Sequence, residues 1–154
     1  MAHRSHGFTR AKALLIVFLA AILLIALILL RGCSGSGEDL STPEGRQSFL
    51  RTYGWEIDPA SESIKRVQIP RRLEGALADY NELQKKQGYD LSGHLGEPCD
   101  QITYLLTNYP GRDQTVLVTL YIQGRSLIAA DIHSTALNGF MHGLKDAQPG
   151  PSTT

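Results

Sequence analysis

The run Thr115–His133, TVLVTLYIQGRSLIAADIH, decides the fold. Val116, Val118, Leu120 and Ile122 occupy alternate positions, Gln123-Gly124 breaks the run, and Ile128, Ala130 and Ile132 take the alternation up again. Successive strand side chains point to opposite faces, so this period of two describes two strands with one buried face. Gly124 supplies a tight turn, so the two strands make an antiparallel hairpin.

Working back toward the N-terminus, Gln101–Asn108 repeats the pattern through Ile102, Tyr104 and Leu106, and Tyr109-Pro110-Gly111-Arg112 reads as the turn that joins it on. Connections this short leave no room for crossover helices, which predicts an antiparallel meander. Before a loop over residues 89–99, Leu73, Ala76, Leu77, Tyr80 and Leu83 recur at spacings of three and four, predicting a helix from Arg71 to Gln87 that Gly88 ends. Val67 and Ile69 suggest a short strand over Ile64–Ile69, and Ser41 with Glu44 reads as the capping box of a first helix that Gly54 closes. Trp55 then anchors the core. The order is α-β-α-β-β-β, an α+β domain whose antiparallel sheet packs on one long helix. Lys65, Arg66, Arg71 and Arg72 read as a solvated edge that discourages strand pairing.

Upstream lies Ala13–Leu30, ALLIVFLAAILLIALILL, without a charged or polar side chain. As a helix it reaches roughly 27 Å, close to the ~30 Å hydrocarbon core of a bilayer. A cleaved signal peptide has a shorter apolar core and a small-residue cleavage site, and a lipoprotein signal at Cys33 wants a small residue where Arg31 stands. An uncleaved anchor fits better than either. Arg4, Arg10 and Lys12 precede the span and only Arg31 follows it, which puts the N-terminus inside and the remainder outside a bacterial cytoplasmic membrane. The expected plan is a basic N-terminus over residues 1–12, a span over 13–30, a linker over 31–43, an exported domain over 44–146 and a disordered tail over 147–154. Four of the 15 basic residues lie before residue 34 and no acid precedes Glu38, so the exported part carries 11 basic and 15 acidic residues, a formal charge of −4. That balance gives no reason to expect nucleic acid.

Two cysteines, Cys33 and Cys99, do not make a disulfide framework, and no zinc-ligand spacing, phosphate-cradling glycine loop or nucleophile elbow is present. No cofactor is implied. Strand alternation puts Asp131 and His133 on the face opposite Ile132, with Tyr121 on the neighbouring strand; that face reads as a solvated sheet surface, or else these residues, with His142, form a candidate binding site. Gly139-Phe140-Met141-His142-Gly143 is too rich in glycine for a helix and reads as a loop that folds Phe140 and Met141 over one edge of the core, or else presents them as a candidate interaction patch for a partner or the membrane surface.

Phe49-Leu50 with Tyr53-Gly54-Trp55-Glu56, then Tyr80-Asn81, Leu83-Gln84, Gln87-Gly88-Tyr89-Asp90-Leu91, Asn108-Tyr109-Pro110 and Gly139-Phe140-Met141-His142-Gly143, together resemble the bacterial family called domain of unknown function 4830. The resemblance covers about residues 47–144 and implies a membrane-anchored or exported small domain of the kind found in clostridial Gram-positive bacteria. It carries over no catalytic residue. Gln123 departs from the family's usual acidic residue before the hairpin glycine, and the hairpin reading survives the change. The sequence therefore favours a binding or sensing domain held at the cell envelope by Ala13–Leu30, with a ligand or another envelope protein as partner. The alternatives are a small envelope hydrolase using Asp131 and His133, and a structural partner of another membrane protein.

Overall fold

Five antiparallel strands in the order β1-β2-β3-β4-β5 make the sheet: β1 Ile57–Gln68, β2 Pro98–Leu106, β3 Val116–Gln123, β4 Ser126–Ser134 and β5 Met141–His142. The computed structural model describes residues 38–111, 115–148 and 150. Ala13–Leu30 lies outside them, and among the described residues no helix is long and apolar enough to cross a membrane. The expected meander is present as β2, β3 and β4. β1 starts seven residues earlier than its alternation suggests, because it pairs with β2 on both sides of an irregularity between Asp58 and Ser63. β5 falls in the segment expected to be a loop. It pairs only Met141 with His133 and His142 with Ile132.

The register sorts side chains onto two faces. Ile102, Tyr104 and Leu106 of β2, Val116, Val118, Leu120 and Ile122 of β3, and Ala130 and Ile132 of β4 build the main core. A shift between Tyr121 and Ile122 sets Ile122 opposite Leu127, so Leu127 packs on the main core. Ile128 then joins the opposite face, with Ile69, Leu91, Cys99 and Ala129. The alternation read from sequence had grouped Ile128 with Ala130 and Ile132. A bulge of this kind adds one residue to one strand and resets which face follows.

Helix α1, Pro43–Thr52, covers the main core with Leu50. Its N-cap is Thr42 rather than Ser41: the Thr42 hydroxyl accepts from Gly45 N at 3.1 Å, while Ser41 donates to Asp39. Leu40, within the stretch expected as a linker, is in the core. Arg46 is buried with every nitrogen used: Nε donates to the Tyr104 hydroxyl at 2.7 Å, Nη1 to Leu40 O at 2.9 Å and Nη2 to Glu62 at 2.6 Å. Trp55 is fully buried as expected; its indole N–H donates to Leu144 O at 2.8 Å and its ring stacks on Tyr109. Gly150 N donates to Asn108 O at 2.7 Å.

The second helix, α2, Ala76–Gln87, does not pack its apolar stripe on the main core, contrary to the sequence reading. It begins at Ala76 rather than Arg71, and its buried residues are Asn81 and Gln84, while Leu77 is 41% exposed. The reason lies in β4. Because β5 covers only Ile132 and His133, the backbone of Ala130 has no strand beyond it. Gln84 Oε1 accepts from Ala130 N at 2.9 Å, and Gln87 Nε2 donates to Ala130 O at 2.9 Å. Gln87 Oε1 also accepts from Leu144 N at 2.8 Å. Two glutamines thus stand in for a strand. Gly143 makes this approach feasible, since a Cβ there would lie 2.6 Å from the Gln87 side chain. The helix ends at Gly88, whose φ of 92° suits glycine.

Replacing Trp55 with alanine removes the largest buried side chain and its bond to Leu144. We expect a loss of about 3–5 kcal/mol in chemical denaturation followed by circular dichroism. A loss under about 1 kcal/mol would contradict the core described above.

Candidate functional site

Docking α2 at the edge of β4 leaves its apolar stripe facing the second face of the sheet across an open cleft of about 820 Å³. That volume is in the range of small-molecule sites. Leu77 and Leu83 of α2, with Leu73 just before it, form one side of its wall, facing Val67, Ile69 and Leu91 from β1 and the loops beside it. Gln101, Thr119 and Tyr121 supply hydrogen-bonding groups from the sheet, and Asp131 and His133 complete the floor. The registers Gln101↔Tyr121 and Thr119↔Asp131 put these side chains on one face.

The polar floor is a connected chain. Asp131 is 2% exposed. Its Oδ2 accepts from the Tyr80 hydroxyl at 2.8 Å, and its Oδ1 lies 2.8 Å from His133 Nδ1. A carboxylate only accepts, so the contact places the proton on Nδ1. Nε2 is then the free position, an acceptor when the ring is neutral, with no protein partner among the described residues. The hydrogen bond to Asp131 raises the His133 pKa above its ordinary 6.5, against the opposing effect of burial. Burial first, and the Asp131 carboxylate second, push Tyr80 far above its ordinary value and keep it a donor. Burial likewise raises Tyr121, whose oxygen accepts from Gln101 Nε2 at 2.9 Å.

Asp131, His133 and Tyr121 therefore meet in one cleft, as their strand positions suggested. His142 does not join them. It sits next to Met141 on β5 and so points to the other face. There Nδ1 donates to Gly143 O at 2.7 Å and Nε2 accepts from the Tyr109 hydroxyl at 2.9 Å. Phe140 and Met141 do not form a joint patch. Phe140 packs against the main core, stacked on Tyr109 and His142, while Met141 is 52% exposed and lines the cleft. The cleft also gathers residues that the sequence had not pointed to, above all Tyr80 and Asp79. Tyr80 had been absorbed into a core stripe, and only the placement of α2 shows that this stripe faces a cleft.

Among the described residues no hydroxyl or thiol nucleophile is hydrogen-bonded to His133, and no three His, Cys, Asp or Glu side chains gather as a metal site. Cys99 is buried, which raises its pKa and holds it as a thiol.

A family model described as Domain of unknown function (DUF4830) matches residues 49–132, more than half of the chain, and the protein belongs to that family. The match takes in Tyr80, Tyr121 and Asp131 and stops one residue short of His133. No curated protein and no solved structure matches the chain.

The His133–Asp131 contact has a signature in pH. A raised folded pKa contributes stability that is fully present below the unfolded value of about 6.5 and is lost as pH rises through the higher folded value. The stability difference between the wild type and His133→Gln should narrow as pH goes from about 5.5 to about 8.5, read as denaturation midpoints. A difference that stays constant or widens would contradict the contact.

Proposed function

We propose that this member of the DUF4830 family is a binding or sensing domain for a small, largely apolar molecule, held at the outer face of a bacterial membrane by Ala13–Leu30. The observation that carries the binding reading is the open cleft of about 820 Å³ between α2 and the sheet, apolar in its walls and floored by the Tyr80–Asp131–His133 chain. Sites for small ligands combine such walls with a few convergent polar groups. The membrane part of the reading rests on the apolar run and the basic residues before it.

A second reading, a small envelope hydrolase, draws on the 2.8 Å contact between Asp131 and His133, which orients an imidazole as a general base requires. The binding reading is preferred because the cleft is walled mainly by apolar side chains and has the volume that small ligands occupy.

A photoreactive side chain in the cleft tests both this reading and the docking of another envelope protein. With p-benzoylphenylalanine in place of Leu77 in the full chain, irradiated in intact cells, we expect an adduct heavier by a small molecule. A protein-sized adduct instead would overturn small-ligand binding in favour of docking. In the same cells a C-terminal reporter should be open to added protease on a protein of full-length mass. A protected reporter would reverse the topology.

A further inference from the structure

The charge around the cleft narrows what it accepts, an inference that rests on the cleft being a binding site. Its ionisable lining consists of Asp79, Asp131 and His133 together with the hydroxyls of Tyr80 and Tyr121, and among the described residues no lysine or arginine lines it. With two carboxylates and one imidazole, the lining stays net negative whichever protonation state His133 adopts. Each oxygen of Asp131 is already engaged, one by Tyr80 and one by His133. Of these charged groups, the position left for a ligand is His133 Nε2, an acceptor while the ring is neutral and a donor once it is protonated. Asp79 is exposed on α2.

We propose that the occupant is an apolar molecule bearing a single protonated amine. An ammonium is drawn by the field of the two carboxylates, and its charge opposes protonation of His133, so that the neutral Nε2 accepts from it. The rings of Tyr80 and Tyr121, whose centroids lie 6.2 Å apart in an edge-to-face pair, add aromatic surface that attracts cations. A carboxylate or phosphate head meets two like charges with no lysine or arginine in the lining to offset them. An alcohol donates to Nε2 but gains nothing from the charge.

The chain contains two methionines, Met1 and Met141, and Met141 sits in the cleft lining. Full-length protein labelled with 13C-methyl methionine, held in lipid nanodiscs, therefore offers a reporter that Met141→Leu assigns. The probes share one hydrocarbon body and differ in the head: 1-aminoadamantane, 1-adamantanol and adamantane-1-carboxylate. We expect the amine to shift the Met141 methyl saturably, about tenfold more tightly than the other two, and to lose part of that advantage in Asp79→Asn. Tightest binding by the carboxylate, equal binding by all three, or an amine affinity unchanged by Asp79→Asn would overturn the assignment of the head group while leaving the cleft as a binding site. A methyl resonance unmoved by any of the three would overturn the binding reading itself.

Discussion

One strand edge governs this domain. β4 needs a neighbour at Ala130, and the two-residue β5 stops short of it. A buried backbone N–H or C=O left unpaired costs about 1–3 kcal/mol, so something must meet both groups. Gln84 and Gln87 of α2 do so. The solution has its own cost, since the Gln84 amide nitrogen is buried without a partner among the described residues. Polar residues thus fix the position of a helix whose apolar stripe would otherwise be expected to fix it.

The cleft follows from that placement. A helix drawn to the strand edge by two glutamines cannot also press its leucines onto the main core, which α1 and Trp55 have already covered. Its stripe instead stands over the second face, where the sheet offers Gln101, Thr119, Tyr121, Asp131 and His133. Apolar wall and polar floor come from different elements, and neither could form the site alone. Asn81 secures the arrangement from the other side, donating to Asp90 at 2.9 Å and accepting from Leu91 N at 2.8 Å, which ties the following loop to α2.

Much of this was legible in the sequence. Period-two alternation identified β2, β3 and β4 and put Asp131 and His133 on the face opposite Ile132, which the structure shows. Glycine placed the ends of both helices at Gly54 and Gly88. What alternation could not show was the extra residue near Ile128, because a bulge leaves the composition of a strand unchanged. The two-residue β5 carries no periodic signal at all. The assignment of α2 to the main core failed for a different reason: Leu73, Leu77, Tyr80 and Leu83 form a stripe whether they face a packed core or a cleft. The residues that decide the matter, Gln84 and Gln87, look like ordinary solvent-facing helix positions until Ala130 is found opposite them. For the same reason Tyr80 could not be recognised as the partner of Asp131. The span and its topology rest on sequence alone.

Amide hydrogen exchange at Ala130 tests the central claim most directly. This single N–H is expected to exchange about as slowly as the paired amides of β3, although it points away from β3 with no strand beyond it. Gln84→Ala should speed exchange there and leave β2 and β3 protected. Rapid exchange at Ala130 in the wild type would mean that α2 is not docked on β4, and the cleft would lose its wall.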